Sequence, residues 1–159
     1  MGVRDWLHSI FNKKPSHCIL LVEDDPQVRE LVRVYLEDAE YQVAMAATAE
    51  EVDICLAAAA VPFSCILMDI KLPGANGVQI ARGIRKRPGY GRVPILFVSG
   101  VFSPSEMEKA VGQLTDTVAI NKPFSRSQLL SAISSMIPGE PPRQHPHARR
   151  GRPGPVPAK

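Results

Sequence analysis

Apolar residues fall in two alternating rhythms along most of the chain. Cys18-Ile19-Leu20-Leu21-Val22 is an unbroken apolar run, the pattern of a strand buried on both faces. Asp25 then stands as a helix cap with Pro26 at the first helical position, and Val28, Leu31, Val32 and Tyr35 recur at helical spacing. Tyr41 to Ala46 predicts a second, weaker strand. Thr48 and Glu51 have capping-box spacing ahead of a helix that turns Val52, Cys55 and Leu56 inward.

The rhythm repeats three more times. Phe63 to Met68 predicts a third strand, Leu72-Pro73-Gly74 a turn, and Val78 to Lys86 a helix with Ile80, Ala81 and Ile84 inward. Pro94 to Val98 predicts a fourth strand, and Ser103, Pro104 and Glu106 open the next helix. Thr117 to Ile120 predicts a fifth strand. Ser125 and Gln128 cap a last helix with Leu129, Ile133 and Met136 inward, and Pro138-Gly139 stops it. Strands alternating with helices predict an α/β fold: a doubly wound, five-stranded parallel sheet with helices on both faces.

The ends behave differently. Val3, Trp6, Leu7, Ile10 and Phe11 follow i, i+3, i+4, i+7, i+8 spacing, so residues 1–16 predict an amphipathic N-terminal helix. It is expected to pack on the domain's own surface, to form a homodimer contact, or to dock a partner; with only Arg4, Lys13 and Lys14 basic, a membrane-surface anchor fits least well. Residues 17–137 form the expected domain. Residues 138–159 are rich in Pro, Arg and Gly without apolar periodicity, and are expected to be a disordered tail.

Charge sharpens this division. The formal net charge is +3, but from residue 138 onward Arg143, Arg149, Arg150, Arg152 and Lys159 face only Glu140. The tail therefore carries +4 and the rest −1, so the domain itself is not a basic nucleic-acid binder. The tail has no room for a DNA-binding domain. No apolar run approaches the ~20 residues that span a bilayer, and Asp5, His8, Asn12 and Lys13 interrupt any signal-peptide pattern. A cytoplasmic location is expected. Cys18, Cys55 and Cys65 lack metal-binding spacing and are expected to be buried hydrophobes in a reducing compartment.

In doubly wound sheets, ligands bind outside the carboxyl ends of the strands. There the sequence places Glu23-Asp24-Asp25 after the first strand, Asp69 after the third, Ser99-Gly100 after the fourth and Asn121-Lys122-Pro123 after the fifth. Each alone has a mundane role: a cap for Asp25, a turn for Asp24, a strand-end acid for Asp69, a loop hydroxyl for Ser99, a solvated cation for Lys122. Together they place repelling carboxylates on one rim, a cost that a hard divalent cation and a lysine ammonium relieve. Carboxylate and carbonyl oxygens suit Mg²⁺, which also draws on phosphate oxygens.

Four segments carry a family resemblance: Ile19 to Pro26, Leu67 to Gly77, Pro94 to Gly100 and Asn121 to Phe124. In order and spacing they resemble the signature blocks of response-regulator receiver domains of bacterial two-component systems. The likeness extends over the whole of 17–137. It implies a flavodoxin-like (βα)5 fold with strand order 2-1-3-4-5, and a stand-alone phosphorylation switch rather than an enzyme.

Residue by residue, the resemblance implies that Asp69 accepts a phosphoryl group from a sensor histidine kinase or phosphotransfer protein. It implies that Asp24, assisted by Glu23, holds Mg²⁺ (or Mn²⁺) with Asp69 and the backbone carbonyl of Lys71. Lys122, followed by a cis proline bond, would bind a phosphoryl oxygen, joined by the Ser99 hydroxyl and the Gly100 N–H. The phosphorylated surface would then engage a downstream protein target whose identity the sequence does not give.

One departure from the family matters most: Ala119 stands where an aromatic, three residues before the lysine, usually couples to the switch hydroxyl; Lys71 is a second peculiarity. That leaves a second reading, a constitutive interaction module whose partner binding ignores phosphorylation. A phosphatase-type hydrolase fits less well, because Lys71, not a second acid, follows Asp69 by two residues.

Overall fold

The structure, a computed structural model, describes residues 17–100 and 103–138. The expected N-terminal helix and the tail beyond Pro138 lie outside the described residues. The five principal strands are β1 (Cys18–Val22), β2 (Gln42–Ala46), β3 (Cys65–Asp69), β4 (Ile95–Ser99) and β5 (Thr117–Asn121). They alternate with α1 (Pro26–Glu37), α2 (Ala49–Ala58), α3 (Gly77–Arg85), α4 (Pro104–Val111) and α5 (Arg126–Met136).

The strands form one parallel sheet in the order β2-β1-β3-β4-β5, as the sequence predicts. β1, β3 and β4 are central and almost wholly buried, which is why they read as continuous apolar runs. Two apolar layers sandwich the sheet. One joins Leu20, Val22, Ile66, Met68 and Phe97 to Val52, Ala81, Ile84 and Met107 from α2, α3 and α4. The other joins Ile19, Leu21, Leu67 and Leu96 to Val28, Tyr35, Leu129 and Ile133 from α1 and α5.

Helix starts follow the caps read from sequence. Asp25 accepts from the Gln27 and Val28 N–H groups, and reciprocal capping boxes join Ser103 to Glu106 and Ser125 to Gln128. Thr48 accepts from the Glu51 N–H, but the Glu51 carboxylate accepts from Ala47 at 2.6 Å rather than from Thr48.

Element edges shift where apolarity and pairing part company. Phe63 is buried yet lies outside β3, which begins at Cys65. Pro94 lies just outside β4, although its carbonyl accepts from Ile66 at 2.9 Å. The turn after Asp69 is tighter than the Leu-Pro-Gly signal alone suggests. Lys71–Leu72 and Ala75–Asn76 pair as a miniature antiparallel ribbon around Gly74, whose φ of +67° suits glycine.

Candidate functional site

The carboxyl ends of β1, β3, β4 and β5 meet on one rim, because all four strands run parallel in close register. Glu23 follows β1 and prolongs its pairing, its N–H donating to the Ala46 carbonyl at 3.0 Å. The Glu23 side chain is buried at 3 % exposure, while Asp24 is half-buried beside it. Asp69 closes β3 in register with Val98 and is likewise buried.

Lys122 reaches this rim from the end of β5. Its N–H donates to the Ser99 carbonyl at 2.9 Å, and the Lys122–Pro123 peptide is cis. The ammonium is almost fully enclosed and donates to Glu23 Oε2 at 2.7 Å and to Asp69 Oδ2 at 3.1 Å. The second Asp69 oxygen, Oδ1, accepts from the Lys71 N–H at 2.9 Å. The Lys71 side chain itself is exposed. Ser99 is buried at the end of β4, paired in register with Asn121, and Gly100 next to it is exposed.

Oxygens of Glu23, Asp24 and Asp69 all lie within 4.8 Å of one another. Three carboxylates and one ammonium leave the cluster formally at −2 when all are ionised. In a mostly buried setting such a charge is strongly disfavoured without further compensation. The donor set, all hard oxygen, fits Mg²⁺ or another hard divalent cation and does not fit a thiophilic metal. Asp25, assigned only a cap, is confirmed in that role: its carboxylate holds the first turn of α1.

Two supporting residues were not singled out from sequence. The Arg29 guanidinium folds back from α1 and donates through Nη1 to the Glu23 carbonyl at 2.8 Å and the Asp24 carbonyl at 3.1 Å. Its position four residues after the capping Asp25, with helical side chains leaning toward the N-terminus, was the available signal. Gly77 opens α3 against β3. A Cβ there would overlap the Asp69 carbonyl oxygen and crowd the Met68 side chain, so the helix start lies directly against the strand end. Asn76 caps that helix by accepting from the Val78 N–H at 2.8 Å.

On the far side of β4, Ala119 pairs in register with Phe97. Its methyl leaves a hollow of about 290 Å³ between β5 and α4, lined by Met107, Val111, Val118 and Ala119 with Glu108 and Asn121 at its margin.

The fold and this rim define a phosphosignalling class. The family model for the response regulator receiver domain matches residues 19–134, and the chain belongs to that family. Among curated relatives, it is 33% identical over 123 residues to the transcriptional regulatory protein AruR of Pseudomonas aeruginosa, covering 75% of this chain and 48% of that protein. It is 29% identical over 119 residues to the phosphate regulon transcriptional regulatory protein PhoB of Rhizobium meliloti, covering 75% of this chain and 51% of that one. The chain thus spans about half the length of these relatives.

Solved structures agree on the fold. The chemotaxis protein CheY4 of Vibrio cholerae superposes with a TM-score of 0.70 at 26% identity, covering 76% of this chain and 98% of that one. The receiver domain of the sensor histidine kinase PA1611 of Pseudomonas aeruginosa, solved with magnesium in its active-site cleft, gives 0.68 at 26% identity, covering 77% and 98%. Among the described residues, no helix is long and apolar enough to cross a membrane.

Proposed function

We propose that the chain is a phosphorylation-dependent signalling switch. Asp69 takes a phosphoryl group from the phosphohistidine of a sensor histidine kinase or phosphotransfer protein. A carboxylate oxygen of Asp69 forms the new P–O bond, the P–N bond breaks, and the imidazole leaves with a proton. The product is an acyl phosphate. The observation that carries this reading is the Lys122 ammonium held between Glu23 and Asp69, with Asp24 alongside.

Each residue then has a task. Glu23, Asp24, Asp69 and the Lys71 carbonyl would hold Mg²⁺, or Mn²⁺ in its place. That cation would neutralise charge on the acids and on the incoming phosphoryl oxygens. Lys122, a point charge with three donors, can exchange a carboxylate partner for a phosphoryl oxygen. Ser99 and Gly100 border the same rim and supply a hydroxyl and an N–H to the transferred group. The filled site alters the surface that a downstream protein reads. Arg29 keeps the β1–α1 loop in place while this happens.

Labelling with acetyl phosphate, with and without Mg²⁺, tests the proposal. Wild-type protein is expected to label only with the cation, and Asp69→Asn not at all. Absence of wild-type labelling, or equal labelling of the two forms, would refute it.

A second reading keeps the fold but not the switch. Ala119 and the hollow beside it favour a constitutive interaction module, because no aromatic on β5 is present to couple Ser99 to the surface. That reading expects partner capture unaffected by Asp69→Asn or by beryllofluoride.

A further inference from the structure

The hollow beside β5 opens outward, joins apolar Met107, Val111, Val118 and Ala119 to polar Glu108, Thr117 and Asn121, and has no part in the chemistry proposed above. Val118 on its wall is 40% exposed, and Ala119 contributes only a methyl where the paired strand carries Phe97. Leaving such a wall wet forgoes ~25 cal/mol for every Å² that an apolar occupant would cover.

One segment of this chain matches it in chemistry and reach. Val3, Trp6, Leu7, Ile10 and Phe11 form an apolar row with two aromatic rings, in a segment that joins the sheet at His17. Because the strands are parallel, Cys18 and Thr117 both lie at the amino-terminal edge of the sheet. β3 and β4 separate β1 from β5, so the crossing is three strand spacings, ~14 Å. Residues 12–16, fully extended, reach ~17 Å. From Val3 to Phe11 a helical row is ~12 Å long, within the ~17 Å of a five-residue strand. Glu108 lines the hollow, and the cations of the segment are Arg4, Lys13 and Lys14, of opposite charge.

We infer that the apolar row of residues 3–11 seats in the hollow of its own chain, with the Trp6 ring over Ala119. The ring takes the volume that the small β5 side chain leaves. The other exposed large apolar residues, Val34, Met45, Ile54 and Val61, do not line this hollow.

Trp6 is the only tryptophan, so its emission and its quenching by acrylamide report the seat directly in the full chain. No phosphodonor is used, so the outcome is separate from that of the labelling experiment. Native protein is expected to show blue-shifted emission and severalfold weaker quenching than the urea-unfolded chain. Ala119→Tyr, which fills the hollow, and Val118→Glu, which charges its exposed wall, should each shift emission to the red and restore quenching, with far-UV circular dichroism unchanged. Ile54→Lys on α2 should leave Trp6 protected. The inference is overturned if native Trp6 is as exposed as in urea, or if both hollow variants leave it unchanged. It is equally overturned if Ile54→Lys exposes it, or if protection disappears on dilution, which would place the row on a second copy.

Discussion

Lys122 donates to Glu23 across 2.7 Å, although 99 residues of chain separate them, and both side chains are nearly inaccessible to water. The pair joins the two strands at the extremes of the site, β1 and β5, and Asp69 sits against it from β3. Removing the ammonium takes away the cation held between two buried carboxylates. Lys122→Ala should therefore lose ~3–5 kcal/mol of unfolding free energy, the usual consequence of breaking a buried pair from one side. Urea denaturation checks this. A loss comparable to that of an exposed pair such as Arg92–Asp116 would contradict it.

Divalent cations should stabilise the fold through the acid trio. If Mg²⁺ binds the folded chain alone, a concentration a hundredfold above its Kd adds ~2.7 kcal/mol. Thermal unfolding with added MgCl₂ should show a rise in Tm for wild type and little or none for Asp24→Asn. Chelation should reverse it.

Arg29 should matter to the same site without touching a carboxylate. Arg29 Nη1 alone holds both the Glu23 and Asp24 carbonyls, and a charge-assisted contact of this kind contributes ~1.5–3 kcal/mol. Arg29→Ala is expected to destabilise the fold within that range and to weaken Mg²⁺ binding. Arg29→Lys, which keeps one donor arm, should recover part of both. Calorimetric titration separates the variants, and unchanged Mg²⁺ affinity in Arg29→Ala would remove the positioning role.

Alkali should expose the burial of Cys65. Burial pushes its thiol from the ordinary 9.0 up to about 12. The folded chain thus favours the neutral thiol more than the unfolded chain does. That contribution is fully present below 9.0 and is lost as pH rises from there toward 12. Burial also raises the buried Tyr35 phenol and the half-buried Cys18 and Cys55 thiols, which act in the same direction. Cys65→Ala should accordingly flatten, not abolish, the alkaline fall in urea midpoint. An identical slope would show that the thiol does not participate.

The sheet was legible because its central strands had no polar choice to make. Runs such as Ile19–Val22 and Ile66–Met68 can only be buried on both faces, and a polar residue ending each run marks the rim. The caps at Asp25, Ser103 and Ser125 were legible for a similar reason: each satisfies N–H donors that the helix cannot. The acids, Ser99 and Lys122 could be placed on one edge from topology alone.

What sequence withheld were relations that depend on packing. Nothing in the letters shows that Lys122 spans two carboxylates rather than one. Arg29 was not singled out, since a guanidinium bonded to carbonyls leaves no pairing pattern among charges. Gly77 stood only as the last residue of the Leu67–Gly77 block, whereas its lack of a side chain is what lets α3 reach β3. The limits of β3 and β4 moved by one or two residues because Phe63 is buried outside the ladder and Pro94 takes part only through its carbonyl.

That contact at Gly77 has a mechanical meaning. With no atom of side chain interposed between the Asp69 carbonyl and the first turn of α3, the two cannot approach one another further. Gly77→Ala would force them apart, at ~1–3 kcal/mol for an overpacked core. In the native chain the junction acts as a rigid bearing. The Gly77 N–H also donates to the Ile70 carbonyl at 2.8 Å, so a backbone shift at residues 69–70 is expected to carry with it the start of the nine-residue helix Gly77–Arg85.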